Sequence, residues 1–167
     1  MYRNTIFSLI IYCLIAPSSA FSETQKAPNF SLPGQNKTIN LSQYKGKVVY
    51  LDFWASWCGP CKRSFPWMNK LQKQYGRDGF KVVAINLDTS RKDAEEFLTK
   101  IPANFDIAFD KKGTTAKTYN IKAMPSSFLI DKKGRLVHKS IGYRNAEKKI
   151  IEQKIQQLTS RTIVAKH

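Results

Sequence analysis

The chain has 167 residues, the length of one domain, and at 42% apolar and 24% charged it can bury one core, which excludes both two large domains and a disordered polymer. Three cysteines close at most one bridge and the one strongly apolar stretch is N-terminal, so a disulfide-dense scaffold and a polytopic membrane protein are excluded as well. Twenty-eight Lys and Arg against twelve Asp and Glu leave a formal charge of +16.

Residues 1–20 read as a secretory signal peptide. Arg3 gives a cationic start, Ile6 to Ala16 is an apolar run of eleven residues, and Ser18 and Ala20 form a small-x-small exit, so cleavage is expected after Ala20. Eleven residues are too few to cross a bilayer, which takes about 20. The alternative is an uncleaved N-terminal anchor, because no charge falls between Asn4 and Ser22. Cys13 lacks the small residues that precede a lipidated cysteine and is expected to leave with the peptide. The mature chain then begins at Phe21, loses Arg3 to carry +15, and keeps two cysteines, Cys58 and Cys61.

Lys47 to Phe53 is a continuous apolar run rich in β-branched and aromatic residues, the pattern of a strand covered on both faces, and Phe80 to Leu87 repeats it. Between them Pro60 to Tyr75 has helical length and apolar spacing, with Pro66 inside it as an expected kink. Strand, helix and strand form a right-handed parallel unit. A second helix is expected over Arg91 to Lys100, a short strand over Phe105 to Phe109, and a helical turn or two over Thr114 to Asn120. Two alternating runs, Ser127 to Ile130 and Leu136 to Ile141, flank Asp131-Lys-Lys-Gly134, a hairpin turn. Ala146 to Leu158 closes the domain as an amphipathic helix, and residues 161–167 are a polar tail. These elements predict a mixed sheet between helices.

Chemistry concentrates in Trp57-Cys58-Gly59-Pro60-Cys61, where a buried strand turns into a helix. A three-residue step in the first turn of a helix puts two cysteines on one face within disulfide reach. Pro60 fits there because its missing N–H would lack a partner in any case. The first sulfur then faces unpaired backbone N–H groups and the positive end of the helix dipole, which favour thiolate over thiol. Cys58 is therefore the expected nucleophile and Cys61, one turn further in, the expected second thiol. The alternatives are half a zinc site and an inert bridge. The first lacks a second ligand pair, since His138 and His167 have no ligand spacing, and so small a loop gains little as a staple.

Two further residues stand out. Asp52 interrupts an apolar strand six positions before Cys58, where a carboxylate without a partner raises its pKa and can take the proton that Cys61 must lose; the alternative is a solvated acid at a sheet edge. Pro125 lies immediately before a strand, which indicates a turn, often with a cis bond; where such a turn faces the cysteine pair, Met124 offers free backbone groups to an extended substrate, and the alternative is an ordinary loop proline.

With these features assembled the chain resembles the thioredoxin superfamily, and within it the secreted TlpA/ResA-like thiol–disulfide oxidoreductases. The resemblance is carried by Ala27 to Val49 at the N-terminal lead, by Tyr50-Leu-Asp-Phe-Trp-Ala-Ser-Trp-Cys-Gly-Pro-Cys61, by Pro66, and by Met124-Pro125-Ser-Ser-Phe-Leu-Ile-Asp131. It implies an α/β three-layer sandwich over residues 21–160 with a mixed central sheet, an N-terminal β extension and an inserted helix at Arg91 to Lys100. It also implies catalysis by Cys58 and Cys61, support from Asp52, Trp57, Gly59 and Pro60, and substrate contact at Met124 and Pro125, with no cofactor and no metal. Some relatives place a second acid after the strand ending at Leu87, which makes Asp88 a candidate. Peroxiredoxins need a Thr where this chain has Ala55, so a peroxidase is not expected.

The expected activity is dithiol–disulfide exchange on protein substrates in the periplasm. The Gly-Pro spacer, shared with thioredoxin, points to a reductant, which in an oxidising compartment needs a donor, expected to be a membrane protein; cytochrome c maturation is one pathway the resemblance implies. The rival readings are an oxidase or isomerase of secreted disulfides and a non-catalytic basic binding module. The basic residues are scattered, as at Lys111-Lys112, Lys132-Lys133 and Lys148-Lys149, without interleaved aromatics, so nucleic acid is not an expected partner. A loose, salt-sensitive attraction to an anionic membrane surface or to acidic proteins is.

Overall fold

In the computed structural model, residues 25–159 are described, and the predicted leader, Cys13, His167 and the C-terminal tail lie outside them. A short antiparallel pair, β1 (Ser31–Pro33) and β2 (Thr38–Asn40), precedes a five-stranded sheet built from β3 (Val48–Trp54), β4 (Phe80–Asn86), β5 (Asp106–Phe109), β6 (Ser126–Ile130) and β7 (Leu136–Ile141). The order across that sheet is β5-β4-β3-β6-β7, with β3, β4 and β5 parallel and β6 and β7 antiparallel to their neighbours. The helices are α1 (Gly59–Tyr75), α2 (Arg91–Lys100), α3 (Thr114–Thr118) and α4 (Asn145–Thr159). This is the mixed, helix-flanked α/β architecture expected; the bounds of β3 to β7 and α1 to α4 fall within two residues of those read from the pattern, whereas β1 and β2 were implied only by the resemblance.

The continuous apolar run of β3 is explained by its place. It is the middle strand of five, all seven of its residues are buried, and its side chains feed two separate cores. Val48, Tyr50 and Trp54 face α1, α2 and α4, whereas Val49, Leu51 and Phe53 face α3 and the N-terminal strands. The helices α1 and α2 share a face because their crossovers, β3 to β4 and β4 to β5, step the same way across the sheet and are of the same hand. Pro66 lies within α1 on its exposed side, so the Lys62 carbonyl that loses a helical donor is next to solvent.

The hairpin between β6 and β7 is fastened by one side chain. Asp131 accepts hydrogen bonds from the backbone N–H groups of Lys133 and Arg135, each at 2.9 Å, and pairs with the Arg135 guanidinium at 2.6 Å, while Gly134 takes the positive φ of 78° that the turn needs. Burial raises the Asp131 carboxyl, but the Arg135 and Lys133 bonds outweigh it and hold the group below the usual aspartate range. A depressed carboxylate stabilises the fold above its unfolded-state pKa and loses that contribution as pH falls through the folded value. Asp131→Ala is expected to cost about 1–3 kcal/mol in chemical denaturation at neutral pH, with the gap to the parent closing in strong acid; a gap independent of pH contradicts this role.

Candidate active site

The site forms where β3 ends. Ala55 and Ser56 turn the chain, Cys58 caps α1 in an extended conformation, and its sulfur accepts a 3.3 Å hydrogen bond from the backbone N–H of Cys61. Cys58 and Cys61 are joined as a disulfide with their Cα atoms 5.3 Å apart. Of the two, Cys61 is fully enclosed, whereas Cys58 keeps 4% exposure and is flanked by Trp57 at 71%. A bulky indole so exposed beside the outer sulfur presents apolar surface to solvent. It serves neither core.

The two spacer residues serve the helix start. Pro60 sits in its first turn, where no backbone donor is required. A side chain at Gly59 would meet no atom within 4 Å, and its backbone is not in the left-handed region, so the fold does not demand glycine there. Its effect is to leave the cap open.

Asp52 lies on the side of β3 that faces α1, the helix carrying Cys61, and it belongs to the central strand rather than to an edge. It is 1% exposed and its Oδ2 has no hydrogen-bond partner; burial pushes its carboxyl well above the usual aspartate range. Trp54 Nε1, two residues along the same strand face, is a second buried polar atom without a partner.

Met124-Pro125 is a cis peptide at the start of β6. Because Ser126 is the register partner of Phe53, the cis bond lies at the end of the sheet where β3 passes into the cysteine turn. Pro125 is buried, Met124 is half-buried and packs on the core cluster that holds both cysteines, and the Pro125 carbonyl accepts from Gly142 N–H at 2.8 Å. The structure thus brings Cys58, Cys61, Trp57 and Met124-Pro125 to one sheet end, with Asp52 beneath.

Asp88 has a task that its sequence position did not disclose. It sits two residues after β4 and accepts from the Ser56 N–H at 3.0 Å, the Ser56 hydroxyl at 3.1 Å and the Asn86 side-chain amide at 2.7 Å. It therefore ties the turn that presents Cys58 to the neighbouring strand. No spacing rule links Ser56 to Asp88 across 32 residues; only the parallel pairing of β3 with β4 does.

A parallel sheet end with a disulfide at a helix cap and a cis-proline beside it defines a thioredoxin-fold dithiol protein. The comparisons agree. Residues 22–155 match the Redoxin family. A thiol–disulfide oxidoreductase ResA from Bacillus cereus is 35% identical, with 95% of this chain and 99% of that one covered, and ResA from Bacillus subtilis is 36% identical over 77% and 72%. A crystal structure described as a thiol:disulfide interchange protein DsbE from Chlorobium tepidum is 51% identical and superposes with a TM-score of 0.80 over 82% of this chain and 97% of that one. The chain accordingly belongs to the Redoxin family, as a TlpA/ResA-like thiol–disulfide oxidoreductase of thioredoxin fold.

Removing the Asp88 clamp leaves the partly buried Ser56 N–H without its acceptor. Asp88→Ala is expected to lower stability by about 1–3 kcal/mol and to slow disulfide exchange through a loosened cysteine turn; equilibrium denaturation and an insulin reduction assay read the two effects, and a variant indistinguishable from the parent in both removes the clamp from the site.

Proposed function

We propose that the protein is a periplasmic reductant of protein disulfides, made as a precursor, acting as a single thioredoxin-like domain over residues 21–160, and recharged by a membrane electron donor, with cytochrome c maturation as its pathway. The observation that supports this reading best is the asymmetry of the pair. One sulfur caps a helix beside an exposed indole and the other is sealed behind it.

In the reduced protein the Cys58 thiolate, favoured by the cap N–H groups and the helix dipole, attacks one sulfur of a substrate disulfide and expels the other as a thiolate. Met124 supplies backbone groups to the extended substrate segment, and Trp57 covers the joined sulfurs. Cys61 then gives its proton to Asp52 and attacks Cys58 Sγ, breaking the mixed disulfide and releasing the second substrate sulfur as thiolate. Two electrons pass from the protein dithiol to the substrate. Asp52 suits the exchange because a buried carboxylate is a stronger base than a solvated one. The positive charge, +16 on the whole chain, supports a loose and salt-sensitive approach to acidic partners or an anionic membrane face; no helix among the described residues is long and apolar enough to cross a membrane.

Cys61→Ser is expected to accumulate covalent adducts with substrate proteins, resolved on non-reducing gels, whereas Cys58→Ser forms none; equal trapping by both contradicts the assigned order of attack. Equilibration with glutathione buffers tests the direction: a potential near about −270 mV fits a reductant, and one above about −150 mV overturns it in favour of an oxidase.

Asp52 carries a prediction of its own. A carboxyl raised by burial destabilises the fold as pH climbs above its unfolded-state value, because the unfolded chain ionises first. Asp52→Asn is therefore expected to raise the thermal midpoint at neutral pH more than in mild acid, while slowing exchange near neutrality; a variant less stable than the parent at neutral pH contradicts the buried, uncompensated carboxyl.

A further inference from the structure

A proton that moves from Cys61 to Asp52 arrives at a residue closed on every side and has to leave again before the next cycle. The sheet register shows a way out. Asp52 is the direct cross-strand partner of Ser127 on β6, and Ser127 is the partner of Ser140 on the edge strand β7. Directly opposed residues of antiparallel strands present their side chains on one face with Cβ atoms about 5 Å apart. That face is the one under α1 and α4, since Tyr50 and Leu129, two positions away on either strand, pack there.

The row is unusual in its chemistry. Both serines are buried, at 4% and 5% exposure, in strand positions where an apolar side chain would pack. Each hydroxyl also lies beside an ionisable group, Ser127 beside the Tyr50 phenol and Ser140 beside the Glu147 carboxylate. Glu147, in the first turn of α4, is hydrogen-bonded to His138 on β7, and these two side chains reach 17% and 20% exposure. Polar side chains therefore occupy successive register positions from the buried acid to the edge strand, where the His138–Glu147 pair reaches solvent.

We propose that Ser127, Ser140 and the Glu147–His138 pair form a proton path that joins Asp52 to bulk water along the β3-β6-β7 register. This rests on the reading of Asp52 as the base for Cys61. The Cys61 proton passes to Asp52 while the S–H electron pair stays on sulfur for the attack on Cys58. From Asp52 the proton moves outward by hydroxyl exchange, each serine giving up its own proton as it accepts the incoming one, and leaves at His138 or Glu147; no electron travels with it. Ser127 and Ser140 are positioning residues, since neither touches substrate. At the inner end the titratable groups are Asp52 and Tyr50 of β3. At the outer end Tyr143 and Arg144 precede α4, Lys148 lies over the Tyr143 ring, and Glu152 of α4 accepts from the Trp67 indole of α1 at 2.6 Å.

Single-turnover resolution of a mixed disulfide in the mature protein tests the path. Ser127→Ala and Ser140→Ala are expected to slow resolution about tenfold near neutral pH and to enlarge its solvent deuterium isotope effect, with the equilibrium redox potential unchanged. His138→Ala is expected to slow it as well and to recover in proportion to added imidazole, a response no packing defect gives. In an Asp52→Asn background the serine substitutions are expected to add nothing. If Asp52→Asn slows resolution while Ser127→Ala and His138→Ala leave rate and isotope effect at the parent values, the path is overturned and the base survives. If Asp52→Asn leaves the pH profile unaltered, the base reading falls and takes the path with it. A shifted potential in Ser127→Ala marks a structural role and also overturns the path.

Discussion

A sulfur at the capping position of a helix is the constraint on which the rest of the molecule depends. The cap needs a helix whose first turn opens at the end of a strand, and α1 has that start because β3 carries the chain straight to it from the centre of the sheet. Backbone N–H groups at that start have no acceptor a full α-helical turn back, and Cys61 N–H is shared between the Cys58 carbonyl at 3.1 Å and Cys58 Sγ at 3.3 Å. Parallel pairing on one side of β3 brings in Asp88 to hold the turn, and antiparallel pairing on the other brings in the cis-proline. The reactive end of the sheet is thus assembled from three strands that lie far apart in the chain.

The interior opposes this arrangement in one place. A carboxylate in the middle strand of a sheet, with one oxygen lacking a protein partner, is costly to bury. Retaining Asp52 makes sense if its basicity is useful, and the file of serines beside it makes sense if a proton has to cross the same sheet. The stability lost at Asp52 is set against strong apolar packing around it. Trp54, Phe65 and Phe97 stack within 5 Å of one another, and both faces of β3 are covered.

The elements were legible because their periods are unambiguous. Fully buried strands read as continuous apolar runs, and α2 and β7 fall at the bounds their residues suggest. The cysteine pair was legible because its geometry is local: three residues and one helical turn determine it. Asp52 was visible as a charge in an apolar strand, although whether that strand was central or at an edge could not be read from the strand alone. Asp88 was noticed for its charge and its place after β4, yet its bonds to Ser56 depend on a strand pairing that no local pattern encodes. Ser127, Ser140, His138 and Glu147 carried no signal at all, because serine is common on strands and the spacing of the four follows from register across β6, β7 and α4.

Local rules were therefore sufficient for the helices, the strands of the main sheet, the hairpin at Asp131 and the sulfur pair, since backbone propensity, side-chain period and capping act over a few residues. Contact between elements lay beyond them. Which face of β3 meets α1, which acid reaches the cysteine turn, and which hydroxyls line up behind Asp52 all depend on strand order and register, and these are settled by burying two cores at once on the two sides of a single sheet.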